Sequence, residues 1–424
     1  MEDESFNKYF NDPVLNSQDI QNSFEELLIP LRTLMIPNKK GKILINSTHL
    51  RIRQDTIQKI FPENNAFLIT NSPITNHLGL KNQCIKDYKS DTKEISAKLV
   101  LQATKIFSKY TNHPVFGNSS LRKIFIEQIP LIVDSIGSVF NLYEKIPISS
   151  VIVGTTEEPL LNRTLVIVAS MMNIPSLCLQ HGIIMGEEAF MPAFASLIAV
   201  YGEYEKRWYM ERGLSAEKIH IIGHPRYDSI FTGKHLPKQV FFRKFKINPR
   251  KLTLLMATGP HIDSDKFRKL IELISNNPLF EILIKPHPLE IQEKKFNCYL
   301  KLQSQYKSVQ VITSNRTNVY DLLFNVDGLV ASLSTLALEG LLFDKPVFVY
   351  DFLISNRSYD YYNDLKKYKE KDPYSLVYTI NHYYSSLDER NHFEEVKNQF
   401  LIDRYRIKNS GEHLLSLINQ IHEE

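Results

Sequence analysis

The sequence predicts an α/β protein with two parallel sheets in two domains, and three observations support this. Its 424 residues exceed what one hydrophobic core usually supports, so two domains of roughly 200 residues are expected. Short apolar runs alternate with helix-spaced segments, as in parallel sheets covered on both faces. Polar groups directly follow several of these runs, where open α/β sheets bind phosphates or nucleotides.

The first domain is predicted over residues 1–232. Helix-spaced apolar residues with few strand signals predict a helical insertion over about 80–145. Gly213 stands where a C-terminal cap would end the helix predicted before it. The predicted strands of this domain are 41–46, 66–70, 151–154, 176–179, 197–201 and 219–223.

The second domain is predicted over residues 252–385. Residues 233–251 are rich in Lys and Arg, contain two prolines and lack a sheet pattern, which predicts an interdomain linker. Residues 386–424 are predicted to be helical, and the surface of the first domain is one place for them to pack. The predicted strands here are 252–256, 280–284, 309–312, 328–331 and 346–350.

The overall composition excludes several classes of protein. A formal net charge of +4 is too small for this length to indicate a nucleic-acid binder. Cys84, Cys178 and Cys298 are odd in number and far apart, which argues against a disulfide framework or a zinc site. The acidic N-terminus lacks a signal-peptide pattern, and no apolar run approaches a membrane span of ~20 residues. We therefore expect a cytoplasmic protein.

Hydroxyl side chains at the end of the strand 328–331 are the first candidate site. Ser332, Ser334 and Thr335 lie where a strand stops and a helix begins, so their hydroxyls and the helix N–H groups suit a phosphate. The alternative is simple helix capping. Glu339 follows in the same helix among leucines, where a carboxylate needs a partner, and ribose hydroxyls would supply one.

The segment Lys285-Pro286-His287-Pro288 is the second candidate site. The flanking prolines fix the backbone around His287, whose imidazole can donate to a phosphate oxygen, and Lys285 adds positive charge. The alternative is a rigid strand exit with an incidental histidine.

A third candidate lies upstream, in Gln180-His181-Gly182. His181 is the general-base candidate of the first domain, since an imidazole can take a hydroxyl proton near neutral pH. Gly182 permits close approach of a substrate or an unusual backbone angle, and Gln180 is a candidate contact to acceptor or phosphate. The alternative for His181 is a core histidine with a backbone partner.

Three further segments have weaker patterns. Arg226, after the strand 219–223, is a candidate phosphate or acceptor contact, with a structural role at the domain boundary equally open. Asp263-Ser264-Asp265 resembles a metal-binding pattern, but N-capping explains it better, and we predict no metal site. The basic aromatic run 241–246 offers a peripheral contact with an anionic membrane, although a solvated amphipathic helix is the favoured interpretation.

Taken together in this order, the motifs resemble a known family over roughly residues 149–352. They are similar to those of the CDP-glycerol glycerophosphotransferases and of related bacterial surface-carbohydrate transferases, including Kdo and sialic acid transferases that use CMP-sugars. The segments that support the resemblance are Leu179-Gln180-His181-Gly182, Tyr201-Gly202-Glu203-Tyr204, Ile222-Gly223-His224-Pro225-Arg226-Tyr227-Asp228, Lys285-Pro286-His287-Pro288, Asp321-Leu322-Leu323, Ser332-Leu333-Ser334-Thr335 and Lys345-Pro346-Val347-Phe348-Val349-Tyr350-Asp351.

The resemblance implies a GT-B fold: two Rossmann-like domains facing across a cleft, with acceptor on the N-terminal one and nucleotide donor on the C-terminal one. It also implies that His181 is the catalytic base, that His287 assists the donor phosphate, and that Ser334 and Thr335 bind phosphate. No cofactor and no bound metal are expected. Leu338-Glu339-Gly340-Leu341-Leu342 departs from the family's Asp-Tyr-Ala stretch and is closer to glycosyltransferases, which favours a sugar as the transferred group.

The leading hypothesis is a glycosyltransferase of surface polysaccharide biosynthesis. It would move a sugar, or a polyol phosphate, from a CMP-, CDP- or UDP-linked donor to a cell-surface glycan or lipid-linked acceptor, in the cytoplasm or peripherally at the inner membrane face. The alternatives are a glycerophosphotransferase, a UDP-N-acetylglucosamine 2-epimerase, and a non-catalytic protein that senses a nucleotide-sugar.

Overall fold

A computed structural model describes residues 17–29, 41–73, 77–157, 160–259, 262–314, 316–352 and 359–423. The chain forms two compact units, each with its own parallel sheet. The first unit comprises Met1–His181, Gly186–Arg226 and Asn409–Glu424, and the second comprises Gly182–Met185 and Tyr227–Lys408.

The first unit is built on a seven-stranded parallel sheet in the order β3-β2-β1-β4-β5-β6-β7. β3 lies inside the region predicted as a helical insertion, because a short strand of polar residues carries no apolar signal. The strands are β1 (Lys42–Ile45), β2 (Ala66–Thr70), β3 (Lys81–Cys84), β4 (Ile148–Val153), β5 (Ser176–Leu179), β6 (Leu197–Val200) and β7 (Ile219–Ile221).

Helices cover this sheet, and the last helix of the chain is one of them. Its residues Leu414, Leu417 and Ile418 are buried in the same core as strand residues such as Leu68 and Leu177. The helices are α1 (Ser17–Leu28), α2 (Gln54–Ile60), α3 (Lys93–Lys109), α4 (Ser119–Lys145), α5 (Leu160–Met171), α6 (Glu203–Met210) and, at the end of the chain, α16 (Ser410–Glu423).

The second unit contains a six-stranded parallel sheet in the order β10-β9-β8-β11-β12-β13. Its central strands are buried along their whole length, which explains their unbroken apolar sequences. The strands are β8 (Leu252–Ala257), β9 (Phe280–Lys285), β10 (Val309–Val311), β11 (Gly328–Ala331), β12 (Val347–Tyr350) and β13 (Lys369–Glu370).

The segment 233–251, predicted as a linker, packs within the second unit. It contains helix α8 with Phe241 fully buried, and the backbone of Leu236 pairs with the side chains of Asp321 and Asn325. The helices of this unit are α7 (Asp228–Thr232), α8 (Lys238–Phe245), α9 (Ser264–Ser275), α10 (Pro288–Gln292), α11 (Asn297–Gln305), α12 (Val319–Asn325), α13 (Thr335–Leu342), α14 (Pro373–Ser385) and α15 (Leu387–Arg404).

Each sheet has one point where the strand order reverses. In the first unit the chain runs outward from β1 to β3 and then returns to place β4 on the other side of β1. In the second unit β9 and β10 extend from one side of β8, and β11 begins on the other. The loops that leave the two strands at such a reversal diverge and open a crevice at the carboxyl ends, where α/β sheets bind ligands. The expected sites are therefore β1/β4 and β8/β11.

Candidate functional site

His181 leaves the carboxyl end of β5 in the first unit, and its ring is partly enclosed. It stacks on Phe190 with ring centroids 5.0 Å apart and an angle of 12° between the planes. A narrow pocket opens beside it, lined in part by Thr155, Thr156 and Tyr209. Burial, followed by the charges of Arg51 and His49, lowers the pKa of His181 to about 4. The ring is therefore neutral at physiological pH and able to accept a proton.

His49 and Arg51 are functional candidates that sequence reasoning missed. They lie in the loop after β1, both with left-handed backbone angles (φ of 58° and 53°), which non-glycine residues rarely adopt. A Cβ at Gly154, at the end of β4, would lie 2.4 Å from the backbone nitrogen of Leu50, so only glycine admits this loop. The ring of His49 lies 5.8 Å from that of His181. The feature that identifies them is their position after β1, one of the two strands at the reversal point of the first sheet.

The side chain of Gln180 connects the loops beside His181 by hydrogen bonds. Its Oε1 accepts from the backbone N–H of Tyr201 at 3.1 Å, and its Nε2 donates to Glu205 at 3.4 Å. Glu205 in turn accepts from the N–H of Gly202 at 3.1 Å. This buried network ties the end of β5 to the end of β6 and thereby holds the backbone of His181. A direct contact of Gln180 with acceptor or phosphate stays a prediction.

Gly182 does not have the unusual backbone angle that was one of the two features predicted for it. Its φ angle is not in the left-handed region, where Gly79, Gly213 and Gly223 lie. A Cβ there would meet Thr335 Oγ1 at 3.5 Å within the second unit, an ordinary van der Waals contact. Close approach of a substrate to Gly182 stays a prediction.

Arg226 follows β7 and belongs to a group of cationic side chains near His181. The buried His224 accepts the N–H of Arg226 on Nδ1 at 3.1 Å. Burial, then the charges of Arg226, Arg51 and His181, lowers the pKa of His224 well below its usual range. At physiological pH Arg226 and Arg51 are the charged groups among these causes, and two cations acting on one imidazole are suited to an anionic group nearby.

In the second unit, His287 is fixed by its own backbone and by two neighbours. Its N–H donates to Glu290 Oε2 at 2.8 Å and to Thr258 Oγ1 at 3.0 Å, and Glu290 is also held by the Tyr299 hydroxyl at 2.8 Å. Its Nδ1 accepts from the N–H of Leu289 at 3.2 Å. A neutral ring therefore carries its proton on Nε2, which makes Nε2 a hydrogen-bond donor.

Lys285 is the last residue of β9, two positions before His287. Burial lowers its pKa, and its ammonium donates to the carbonyl of Pro286 at 3.3 Å. A buried cation beside the reversal point of the sheet is suited to an anionic ligand. The structure thus places Lys285 at the end of β9 and His287 in the loop after it, next to the β8/β11 crevice.

The hydroxyl motif after β11 lies on the other side of the same crevice. Ser334 occupies the N-cap position of α13 but makes no cap hydrogen bond with its side chain. The Tyr362 hydroxyl caps the helix instead, donating to the Ser334 carbonyl at 2.6 Å and accepting from the Leu338 N–H at 3.0 Å. The capping alternative for the Ser334 hydroxyl is therefore not what the structure shows. Thr335 begins the helix.

The β8 and β11 loops approach each other closely at Ser332. A Cβ on Gly259, after β8, would lie 2.7 Å from Ser332 Oγ, so a side chain there would fill the crevice. Thr258 and Gly259 are further site residues that sequence reasoning missed, since their significance depends on the neighbouring strand.

Two other predicted residues have clear local surroundings. Glu339 is buried in α13, as its apolar neighbours indicated, and its role towards a ribose stays a prediction. Asp263 caps helix α9 by accepting from the N–H groups of Asp265 and Lys266 at 3.0 and 3.1 Å, which confirms capping as the explanation of that motif.

The fold is similar to several solved structures at low sequence identity. A UDP-GlcNAc 2-epimerase from Neisseria meningitidis, bound to UDP-GlcNAc, gives a TM-score of 0.57 at 12% identity, covering 89% of this chain and 99% of that one. HepE from Anabaena, in complex with UDP and glucose, gives 0.54 at 11% identity, covering 90% and 100%. A variant of the wall teichoic acid polymerase TagF soaked with CDPG gives 0.51 at 13% identity, covering 99% and 97%.

These similarities, with the two parallel sheets, confirm the predicted GT-B fold. No curated protein is significantly similar to this chain in sequence. The family model for CDP-glycerol:poly(glycerophosphate) glycerophosphotransferase matches residues 196–421, more than half of the 424 residues. That match includes all of the second sheet and the motifs at His287 and Ser334. The chain is therefore a transferase that belongs to the CDP-glycerol:poly(glycerophosphate) glycerophosphotransferase family.

Proposed function

We propose that this protein transfers a sugar or a polyol phosphate from a CMP-, CDP- or UDP-linked donor to a hydroxyl of a cell-surface glycan or its lipid-linked precursor. The observation that carries the proposal is the β8/β11 crevice. Three groups lie at this reversal of the strand order: the imidazole of His287, which can donate a hydrogen bond, the buried Lys285, and the Ser334 hydroxyl, which does not cap its helix. Family membership supports a nucleotide-linked donor. Solved structures of the same fold hold UDP-GlcNAc or UDP with glucose.

The second unit binds the donor in this proposal. His287 Nε2, Lys285 and the hydroxyls of Ser334 and Thr335 take the negative charge that builds up on the leaving nucleotide phosphate. Hydrogen-bond donors and cations that are held in place before the reaction stabilise that charge without the cost of reorganising solvent. Glu339, buried in α13, accepts hydrogen bonds from the ribose hydroxyls.

The first unit binds the acceptor and supplies the base. His181 takes the proton of the acceptor hydroxyl as its oxygen attacks the donor, and the bond to the nucleotide phosphate breaks. A pKa of about 4 keeps the imidazole in its accepting form over the physiological range. The cationic group around Arg51 and Arg226 orients a nearby anionic part of the acceptor.

Binding of the nucleotide is the first test. Thermal unfolding is measured with CMP, CDP, UDP and GDP, since a nucleotide that binds only the folded protein stabilises it by about 2.7 kcal/mol at a concentration of 100 Kd. We expect one cytidine or uridine nucleotide to raise the melting temperature most. The His287→Ala variant loses that response, while exposed His413→Ala keeps it. No response to any nucleotide would refute the donor site.

Transfer is the second test, read as nucleotide released from CDP-glycerol, UDP-N-acetylglucosamine and CMP-sialic acid with an oligomeric glycerol phosphate or glycolipid acceptor. His181→Ala is expected to abolish transfer and to keep the nucleotide response, because only the base is removed. Full turnover by that variant would contradict the proposed base.

The same donors separate the alternatives. An epimerase forms the 2-epimer of UDP-N-acetylglucosamine with no acceptor present, whereas a sensor binds nucleotide and turns over none of the donors. If nucleotide is released from CDP-glycerol and from neither of the other two donors, the protein is a glycerophosphotransferase and the preference for a sugar is wrong.

A further inference from the structure

The imidazole of His181 lacks the hydrogen bond that usually orients a histidine base. A carboxylate or carbonyl on one ring nitrogen commonly fixes both the tautomer and the ring plane of such a residue. Within the described part of the chain, no group hydrogen-bonds to the ring of His181, whose aromatic contacts are Phe190 and His49. Because the last side-chain torsion of histidine has no sharp intrinsic minimum, another contact must set the plane of the ring.

Phe190 is the contact with the geometry to set that plane. Its ring centroid lies 5.0 Å from that of His181, and the two rings are nearly parallel, with 12° between their planes. The ring of His49 is 5.8 Å away and tilted by 52°, a contact that constrains the plane less. A parallel neighbour resists rotation of the imidazole, because a turned ring loses the stacked contact.

Phe190 is itself supported by residues in and just after helix α6. The ring of Trp208 meets it nearly edge-on, with centroids 6.3 Å apart and 77° between the planes. The guanidinium carbon of Arg212 in turn lies 3.9 Å from the centroid of the Trp208 ring. These contacts continue the row of stacked groups that begins at His181, and all its members belong to the first unit.

The segment 187–193, which carries this phenylalanine, is held at both ends by side chains distant in sequence. At one end Glu187 accepts a hydrogen bond from Arg212 Nε at 2.8 Å. At the other end the amide of Gln21, in α1, accepts from the Ala193 N–H at 2.8 Å and donates to the Ala193 carbonyl at 3.2 Å. Gln21 is buried, so water does not compete for these bonds. The ring between the two ends is therefore kept in place.

We propose that Phe190 is a positioning residue for the base: its ring fixes the plane of the His181 imidazole and shields one face of it from water. Glu187 and Gln21 act through Phe190 by holding the segment 187–193. The inference rests on the proposed role of His181 in transfer. Its first test therefore reads the imidazole itself, without donor or acceptor.

That test is the nuclear magnetic resonance signal of His181 in protein carrying isotope-labelled histidine. His181→Ala identifies the signal among the 13 histidines, and we expect it upfield because an aromatic ring is stacked on the imidazole. Phe190→Ala is expected to remove the upfield shift and to raise the pKa of His181 by about one unit or more, since burial is the main cause of its low value. The titratable and charged neighbours His49, Arg51 and His224 are unchanged in this variant.

The second test is transfer, measured as kcat and KM with the donor that the protein turns over. Phe190→Ala is expected to lower kcat about ten- to a hundredfold, because a displaced base loses its alignment with the acceptor hydroxyl, and to keep the thermal response to nucleotide. Phe190→Tyr keeps a flat ring and is expected to match the parent protein in both tests. Phe324→Ala removes a ring that is 49% exposed in the second unit and is expected to change neither readout.

The two acidic neighbours of Arg212 provide a matched pair. Glu187 holds the segment that carries the phenylalanine, whereas Glu211 lies outside it, 71% exposed and 3.8 Å from Arg212 Nη1. Glu187→Ala is expected to change the His181 signal and kcat in the same direction as Phe190→Ala, but by less, and Glu211→Ala to change neither. If Phe190→Ala lowers the melting temperature, Phe190→Leu, which keeps most of the apolar volume without a flat ring, is expected to show the same two changes.

Four results would overturn the inference. One is a His181 signal and pKa that are the same in Phe190→Ala as in the parent protein. Another is unchanged kcat in Phe190→Ala while His181→Ala is inactive, and a third is a Phe190→Tyr variant as impaired as the alanine variant. The fourth is a rise in KM with unchanged kcat, which would place Phe190 in acceptor binding. Full turnover by His181→Ala would refute the proposed base, and the His181 signal would still decide whether Phe190 positions the ring.

Discussion

Replacing Arg51 with glutamine is expected to move the acidic limb of the pH–rate profile to higher pH. His181 must be neutral to accept a proton, so the rate falls as pH drops through its pKa. Burial and the Arg51 charge together lower this pKa from 6.5 to about 4. Removing a nearby positive charge makes protonation easier and raises the pKa.

The expected size of the change in the pKa of His181 follows from the relative sizes of the effects that lower it. Burial is the largest cause and is unaffected by the substitution, and the Arg51 guanidinium is exposed to solvent, which screens its field. We expect a rise of about half to one pH unit, equivalent to about 0.7–1.4 kcal/mol. With the pKa of His181 at about 5, roughly half of the enzyme would be protonated at pH 5, against about a tenth in the parent protein.

The assay is kcat/KM between pH 4 and 8 at constant ionic strength, since this ratio reports the pKa of the free enzyme. Arg53→Gln is the matched control, because Arg53 is exposed in the same loop but pairs with Asp55 at 3.2 Å and does not act on His181. An acidic limb that stays in place in Arg51→Gln, or moves to lower pH, would refute the electrostatic argument. A uniform loss of rate at every pH would instead mark Arg51 as a substrate contact.

Three further predictions concern the second unit. Glu290→Ala leaves the N–H of His287 without its carboxylate partner and is expected to weaken nucleotide binding about five- to a hundredfold, read by thermal-shift titration; unaltered affinity would contradict the positioning role. Tyr362→Phe removes the hydroxyl that caps α13 and is expected to cost about 1–2 kcal/mol in urea unfolding, with weaker nucleotide binding; a fully stable variant would show that the cap is dispensable. Gly340→Ala places a Cβ 2.5 Å from a β11 side chain, so a loss of about 1–3 kcal/mol is expected, and an unchanged urea midpoint would count against that clash.

The sequence by itself determined most of the strands and the strand ends at which the candidate site residues lie. Apolar runs marked both parallel sheets, and the polar residues after β5, β9 and β11 were identified because strand ends are local features. The capping role of Asp263 was equally local, since a cap is made by residues within one turn. In contrast, β3 escaped detection because its residues are polar, and its pairing with β2 forms only in the sheet.

Only the tertiary structure decided the hydrogen-bond partners, nearby charges and packing of each candidate residue. The amide of Gln180 joins two loops through Tyr201 and Glu205, a role that the sequence did not show. His49 and Arg51 lie about 130 residues from His181 in the chain, yet they act on the pKa of its imidazole. Gly340 belongs to the segment that favoured a sugar as the transferred group, and the structure places it where α13 packs on the sheet. Burial, electrostatic fields and close packing depend on groups distant in sequence, whereas helix, strand and cap signals depend on neighbours along the chain.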